Sequence, residues 1–493
     1  MDDVFPEKSQ SLMLAFAQFL RERWLRILGV SALILLPCFW HYEIVSSDLG
    51  SHLYNAWLVQ LIRRGKAPGL WIAPQHTNVL FDLLLSAFGS VFNLHSAEKL
   101  AVSVAVLIFF WGTFALAAAA ARRAPWFVTP VMALVTYGWT FHLGFFNYYL
   151  SLGLSFFAIA IVWRGKGWER LTAVVMAPFV FVAHPLGFLW LLGASGYILI
   201  HQHVGPRGQV ILFLAAIGLL GLLHLFLFRQ YHVNAAAKPF YSFNGADQLV
   251  LFGERYRYMA RALLGFAIVS LAADIAWRDP VARKNYALPL QLYFLVLIAT
   301  GLLPEAVAFP PPIAAAALLT ERLTSVAAAL GCCLLGVMQP TKWHLAVSAA
   351  IAAVFFCFLY QDTAVVNQME SQIVELVSAL PPNQRVMATI LRPPGSRVLI
   401  QHIIDRACIG RCFSYGNYEP GAALFRVRAV PHNPYVLDRY DLAIDMENGG
   451  YVVQPEDLPV YQVYQCSDDG RQLCISPLQA GQVNDRLGVY TDK

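Results

Sequence analysis

The chain has 493 residues, of which 58% are hydrophobic and 13% are charged. Because soluble domains carry about 25% charged residues, this composition excludes an ordinary soluble enzyme as well as disordered and collagen-like chains. The net charge of +5 divides into +9 for residues 1–361 (24 basic and 15 acidic side chains) and −4 for residues 362–493 (11 basic and 15 acidic). We therefore expect a membrane domain over residues 1–361 and a soluble domain over residues 362–493.

The membrane domain contains a series of apolar runs, most of them near the length that a helix needs to cross a bilayer. They predict eleven transmembrane helices, at about 27–40, 99–121, 125–142, 146–163, 171–184, 186–201, 210–228, 260–277, 286–303, 323–339 and 343–360. The expected fold class is an α-helical polytopic membrane protein with a small α/β soluble domain at its C-terminal end.

Basic residues predict the orientation of these helices. Arg21, Arg23 and Arg26 precede the first span, and loops rich in Lys and Arg normally stay in the cytoplasm. Basic side chains also occur in the five later connections that this orientation places inside. We expect a bacterial cytoplasmic (inner) membrane protein with a cytoplasmic N-terminus. With an odd number of spans, residues 362–493 then lie in the periplasm.

The first long outer loop, residues 41–98, carries two amphipathic segments, 51–62 and 78–92. Segments of this kind lie along the membrane interface. Polar residues stand at the head of the loop, where Asp48 precedes the first segment and His52 follows one helical turn later, with Glu43 just upstream. Two interpretations of Asp48 stay open. It acts as a general base or holds a divalent cation such as Mg or Mn against a phosphate, or it caps the helix that starts at Leu49.

Other polar residues fall on the same outer face. His184, between the fifth and sixth spans, is a candidate substrate ligand, because ionisable groups near the membrane are costly to keep. Arg255 and Arg257, in the second long outer loop 229–259, either bind phosphate oxygens or anchor the chain at the interface. Glu305 and Arg322 flank a proline-rich break before the tenth span. Arg322 either holds a substrate phosphate or forms an ion pair with Glu305 or the neighbouring Glu321.

The C-terminal domain is predicted to start with an amphipathic helix over 363–380, stopped by Pro381 and Pro382. Short β-like runs follow at 385–391, 397–401, 423–430 and 460–465. A dense polar and aromatic stretch, 405–420, either binds a ligand or is a structural loop.

Four cysteines lie in this domain, and an oxidising compartment favours two disulfides among them. A second short strand at 472–475 and the intervening turn bring Cys466 and Cys474 nearly opposite each other. Cys408 and Cys412 remain as the second pair. A helical i,i+4 spacing would strain that bond, so we expect a loop there, aided by Gly410.

The whole arrangement resembles the GT-C superfamily of membrane glycosyltransferases. The resemblance covers roughly residues 20–360 and rests on the cytoplasmic N-terminus, the first outer loop with interfacial helices, the span count and Asp48 within Ser47-Asp48-Leu49-Gly50-Ser51-His52. Many members have two adjacent acidic residues at that point, whereas this chain has one, with Glu43 five positions earlier.

We expect Glu43, His52, His184, Glu305, Arg322, Arg255 and Arg257 to contribute to substrate binding, and the resemblance implies that Asp48 is catalytic. The partners that it implies are membrane lipid, a polyprenyl-phosphate-linked sugar and a glycan, lipid or protein acceptor. Nucleic acid is not among them. Two other functions stay open: a transporter or lipid flippase, and a non-catalytic membrane assembly subunit.

Overall fold

The computed structural model describes residues 12–235, 243–310, 316–392, 395–400, 402–422, 425–467, 470 and 472–485. The described chain is mostly helical. Its α-helices are α1 Leu12–Phe39, α2 Leu49–Arg63, α3 Leu80–Val91, α4 Leu94–Ala121, α5 Thr129–Thr136, α6 Trp139–His142, α7 Phe146–Arg164, α8 Glu169–Ala183, α9 Pro185–His203, α10 Pro206–Gln230, α11 Glu254–Trp277, α12 Pro280–Arg283, α13 Ala287–Leu302, α14 Leu319–Val337, α15 Lys342–Ser378, α16 Ile403–Cys408 and α17 Tyr440–Glu447.

Seven helical segments within the described residues are long and apolar enough to cross a membrane, so the chain is a multi-pass membrane protein. They are Leu94–Ala121, Phe146–Arg164, Pro206–Gln230, Glu254–Trp277, Pro280–Leu302, Leu319–Val337 and Lys342–Ser378. The remaining four predicted spans fall on α1, on α5 with α6, on α8 and on α9. The prediction of one continuous helix over 125–142 was wrong, because α5 ends at Thr136 and α6 begins only at Trp139. Helix α8 has 15 residues, fewer than the roughly 20 of a typical span.

Helix α15 joins two elements that the sequence predicted to be separate. It has 37 residues and includes both the predicted last span and the predicted amphipathic helix of the C-terminal domain. The helix continues through residue 361 because the segment contains neither Pro nor Gly, the residues that most often interrupt a helix. The helix ends at Ser378, close to the predicted stop at Pro381 and Pro382.

The C-terminal region contains a four-stranded mixed sheet in the order β5-β4-β7-β8. Strand β4 is parallel to β5 and β7, and β7 is antiparallel to β8. The strands of the described chain are β1 Leu70–Ile72, β2 His232–Asn234, β3 Ala306–Ala308, β4 Arg385–Thr389, β5 Phe413–Ser414, β6 Val427–Ala429, β7 Val460–Gln465 and β8 Leu473–Pro477. A hydrophobic core beside this sheet is formed by Met387, Tyr415, Leu437, Met446, Tyr451, Val453, Val460 and Leu478.

The predicted strands had mixed outcomes. Those at 385–391 and 460–465 are confirmed as β4 and β7, and the run 423–430 contains the shorter β6. The run 397–401 is not a strand over its described residues 397–400. There the Val398 N–H donates to the Ser396 hydroxyl, 3.1 Å away, and local bonding of this kind competes with a strand ladder.

Both predicted disulfides are confirmed. Cys466 and Cys474 join the β7–β8 hairpin, while Cys408 and Cys412, with Cα atoms 4.6 Å apart, close a short loop. As expected, α16 ends at Cys408 and Gly410 adopts a positive φ of 76°. A region with two disulfides is consistent with a location outside the cytoplasm.

The chain divides into two compact units. The first unit consists of residues 1–36, 104–141 and 147–357, and the second of residues 37–103, 142–146 and 358–493. The second unit thus combines the first outer loop with the C-terminal region. Strand pairing links them, since β1 of the loop is antiparallel to β6.

Candidate functional site

The backbone at Asp48 is anchored within the second unit. The N–H groups of Ser47 and Asp48 donate to the carbonyl oxygens of His142 and Leu143, at 2.9 and 3.2 Å. Gly144 packs directly against this segment: a Cβ on it would lie 2.5 Å from the Asp48 nitrogen, and its φ of +82° is one that L side chains rarely adopt. Asp48 therefore has a fixed backbone position immediately before α2.

The Asp48 side chain contacts a histidine from the C-terminal region. Asp48 occupies the N-cap position of α2, yet its side chain makes no capping hydrogen bond. The interpretation of Asp48 as a helix cap was therefore wrong. Its Oδ1 atom instead lies 3.7 Å from Nε2 of His402. A carboxylate facing an imidazole in this way is an arrangement suited to proton or hydroxyl chemistry.

Aromatic rings lie beside this pair. The Tyr418 ring is 5.1 Å from the His402 ring, and Phe425 and Tyr440 follow at 5.4 and 6.1 Å from Tyr418. Burial, with the negative charge of Asp48 and neighbouring carboxylates, raises the pKa of Tyr418 well above its usual value. Its phenol consequently stays neutral and can act as a hydrogen-bond donor.

A second pair of a histidine and a carboxylate lies on the first outer loop. His52 contacts Asp82 of α3 at 2.7 Å. Burial alone lowers the pKa of His52, but the charge and hydrogen bond of Asp82, with the charges of Glu419 and Asp48, raise it to about 9. The imidazole is therefore cationic at neutral pH.

Glu419 completes this group of charges. The Ser51 hydroxyl donates to its carboxyl oxygen at 3.1 Å. Burial raises the pKa of Glu419 to about 8, although the charge of His52 opposes the shift. Glu419 is therefore mostly protonated at neutral pH.

Glu43 belongs to a different cluster of the second unit. The guanidinium of Arg406, on α16, contacts carboxylates of Glu43, Glu98 and Glu370, each at 3.2 Å. Arg406 also donates to the carbonyl of Ile44 at 3.1 Å. One buried cation thus joins the loop after α1, the first turns of α4 and the middle of α15.

Three described residues of this unit have a spacing suited to a divalent cation. They are Glu43, His95 and Glu98, whose ligand atoms lie within 4.8 Å of one another. Asp48 is not among them. Arg406 already places a positive charge 3.2 Å from both carboxylates. This environment disfavours a second cation, so the residues do not fit a metal.

The first unit brings together two of the predicted residues, His184 and Arg322. The His184 Nδ1 atom accepts from the backbone N–H of Leu186 at 3.1 Å, which caps α9. A neutral imidazole with an acceptor Nδ1 carries its proton on Nε2, and Nε2 lies 3.0 Å from Nη1 of Arg322. In the tautomer that caps α9, two hydrogen-bond donors therefore face each other, an arrangement that an anionic oxygen accepting from both would stabilise.

The other predicted residues are placed separately. Glu305, next to β3, accepts a hydrogen bond from the Thr320 hydroxyl at 2.6 Å. Arg255 and Arg257 are exposed on the first turn of α11, and Arg257 pairs with Glu254 at 2.7 Å. That exposed pair agrees with the interfacial alternative for these arginines.

The sequence did not indicate three members of the Asp48 neighbourhood: His402, Asp82 and Glu447, whose carboxylate lies 3.9 Å from Nδ1 of His402. The stretch 405–420, which is dense in polar and aromatic residues, supplies Tyr418 and Glu419. His402 lies three residues before that stretch, so this density was the available signal.

No protein-family model, curated protein or solved structure matches this chain. The resemblance to GT-C glycosyltransferases therefore has no support from these comparisons.

Proposed function

We propose that this protein is a GT-C-like glycosyltransferase that moves a sugar from a polyprenyl-phosphate donor to an acceptor at the outer face of the bacterial cytoplasmic membrane. The observation that carries the proposal is the position of Asp48. Its carboxylate lies immediately before α2, does not cap that helix, and is 3.7 Å from His402 with Tyr418 beside it. An anchored carboxylate in a polar and aromatic setting suits the activation of a hydroxyl or amide nucleophile.

In the proposed reaction, the acceptor heteroatom forms a bond to the anomeric carbon of the donor sugar. The bond between that carbon and the phosphate oxygen breaks, and polyprenyl phosphate leaves with the bonding electron pair. Asp48 orients the nucleophile and receives its proton. Hydrogen-bond donors and charges stabilise a developing charge best when they are already in place. The fixed position of Asp48 therefore favours transfer, because the residues around it need little rearrangement.

We further propose that Arg322 and His184 bind a phosphate oxygen within the first unit, because Nη1 of the Arg322 guanidinium and the protonated Nε2 of the neutral His184 imidazole face each other at 3.0 Å. The Arg322 backbone also accepts a hydrogen bond from Tyr148 at 2.6 Å, which helps to fix this part of α14. A phosphate oxygen that accepts from both side chains would resolve the contact between the two donors.

We also propose the full topology of eleven spans, with a cytoplasmic N-terminus and a periplasmic C-terminal region. Its support is the agreement between the basic connections and the inside loops. Reporter fusions after α1, α9 and α15 test it. Activity of a periplasmic reporter after α15, but not after α9, agrees with this topology.

The decisive experiment incubates purified protein with polyprenyl-phosphate sugars and candidate glycan, lipid and protein acceptors. We expect transfer by the wild type and loss of transfer in Asp48→Asn. Asp441→Asn is the matched control, because Asp441 is exposed on α17 and pairs with Arg439. Equal rates in Asp48→Asn and wild type would refute the catalytic assignment. Movement of lipid-linked substrate without bond cleavage would identify a transporter or flippase, and neither activity would favour an assembly subunit.

A further inference from the structure

His402 is enclosed by carboxylates from three parts of the second unit. Its Nε2 atom faces Oδ1 of Asp48 at 3.7 Å. On the other side of the ring, Nδ1 lies 3.2 Å from Oδ2 of Asp405 and 3.9 Å from Oε1 of Glu447. The imidazole thus connects the start of α2 with α16 and with the end of α17.

The side of the ring away from Asp48 is held in place. Asp405, which is 2% exposed, accepts a hydrogen bond from the Ser414 hydroxyl through its other oxygen. Ser414 in turn belongs to β5 of the four-stranded sheet. Asp405 therefore fixes Nδ1 of His402 relative to the sheet, and this also fixes the direction of Nε2.

The backbone of His402 is equally constrained. Its carbonyl oxygen lies so close to Gly50 that a Cβ there would be 2.2 Å away. Residue 402 cannot shift toward α2, and α2 begins one residue after Asp48. The Asp48 and His402 side chains therefore extend from two backbone segments in direct contact.

The charge of the ring agrees with this geometry. Burial alone lowers the pKa of His402, but the hydrogen bond to Asp405 and the negative charges of Glu447, Asp405 and Asp48 raise it to about 10. The Tyr418 ring, 5.1 Å from the His402 ring, is neutral and does not oppose this charge. His402 is thus an imidazolium, which can hold one carboxylate at each nitrogen.

We propose that His402 is a positioning residue for Asp48: through Nε2 it fixes the carboxylate in the orientation that meets the acceptor nucleophile. This inference rests on the proposed function and deepens it, because it makes the C-terminal region part of the catalytic site.

Kinetics of sugar transfer test the proposal. We expect His402→Gln to lower kcat roughly 100-fold, the order of loss from misplacing a reacting group by about 1 Å, with the KM for the lipid-linked donor changed less than about threefold. In an Asp48→Asn background, the same substitution should cause no further loss, since residues that act as a unit are not additive. His76→Gln is the control, because His76 is exposed in the first outer loop.

A second variant separates a loss of positioning from simple misfolding. Asp405→Asn keeps an acceptor for Nδ1, so we expect it to fold and to lower kcat by less than His402→Gln. Thermal unfolding of each variant separates loss of structure from loss of orientation. A His402→Gln protein that folds and keeps wild-type kcat overturns the role of His402 and leaves the proposed function intact. Absence of transfer by the wild type overturns both.

A spectroscopic readout tests the contact independently of activity. In protein with ¹⁵N-labelled histidine, the His402 signals are assigned by their absence in the His402 variant. Asp48→Asn should shift the Nε2 signal of His402 more than its Nδ1 signal and leave His76 unchanged. Unchanged His402 signals would overturn the proposal.

Discussion

The carbonyl oxygen of His402 occupies the space that a side chain on Gly50 would need, since a Cβ on Gly50 would lie 2.2 Å from it. This contact explains why a glycine stands two residues after Asp48. We expect Gly50→Ala to lower the free energy of unfolding by about 1–3 kcal/mol, the usual cost of overpacking, and to reduce transfer because Asp48 and His402 move apart.

Thermal unfolding in detergent and transfer rates measure both effects. Gly450→Ala is the matched control in the same unit, because the nearest atom to a Cβ there is 3.9 Å away. If Gly50→Ala and Gly450→Ala have the same melting temperature and transfer rate, the close approach of His402 to Gly50 contributes neither to stability nor to activity.

Arg406 is the subject of a second prediction. Its replacement by Met keeps most of the side-chain length but leaves the carboxylates of Glu43, Glu98 and Glu370 without their shared cation. Removing one partner of a buried ion pair costs about 3–5 kcal/mol, so we expect a large loss of folded protein in Arg406→Met. Adding Glu98→Gln and Glu370→Gln should recover much of it.

Size-exclusion chromatography and thermal unfolding report the outcome. Arg439→Met removes an exposed guanidinium that pairs with Asp441, and we expect no measurable change there. A stable Arg406→Met protein without the compensating substitutions would show that the cluster does not hold the second unit together.

Local features of this fold were predictable, and its site was predictable only in part. Helices α2 and α3, the β7–β8 hairpin and both disulfides follow from periodicity, turn residues and cysteine spacing within short segments. The partner of Asp48 is 354 residues away at His402, and no local pattern encodes a contact of that separation. Composition also marked a change near residue 361, but a change in polarity is not a helix break, and α15 continues through it.

Stability should depend on pH through Glu419. Burial raises its pKa from an ordinary value near 4.5 to about 8, so the folded state binds this proton more tightly than the unfolded state. The stabilisation is complete below about pH 4.5 and is lost as the pH rises toward 8. In Glu419→Gln this contribution is absent, so the melting temperature of the variant should fall less between pH 5 and 8 than that of the wild type.

His52 acts in the same direction over a higher range, with stabilisation lost between its ordinary pKa of 6.5 and about 9. Melting temperatures of wild type, Glu419→Gln and His52→Gln at half-unit pH steps separate the two contributions. Parallel curves for wild type and Glu419→Gln would mean that Glu419 has an ordinary pKa in the folded protein.

The redox state of the cysteines gives a prediction about location. The chain has eight cysteines, of which Cys38, Cys332, Cys333 and Cys357 form no disulfide. Protein extracted from cells and denatured without reductant should take up four maleimide groups, and eight after reduction. Mass spectrometry of tryptic fragments should assign the additional groups to the four cysteines of the C-terminal region. Eight groups without reductant would place that region in a reducing compartment.

The paired donors at Arg322 and His184 lead to the last prediction, on phosphate binding. We expect Arg322→Ala to weaken binding of polyprenyl phosphate by roughly 10- to 100-fold, because hydrogen bonds to charged groups contribute about 1.5–3 kcal/mol. Arg322→Lys keeps the charge but loses the planar fork of donors, and its affinity should fall between those of Arg322→Ala and the wild type.

His184→Asn is the sharper variant. Asn is a good N-cap residue, so it can replace the bond from Leu186 that His184 accepts at Nδ1, while the Nε2 donor is lost. We therefore expect an unchanged melting temperature with weaker binding. Arg207→Ala, at an exposed position at the start of α10, is the control in an assay of lipid-phosphate binding to detergent-solubilised protein. Wild-type affinity in both Arg322→Ala and His184→Asn would show that the facing donors do not bind phosphate and would leave them a purely structural role.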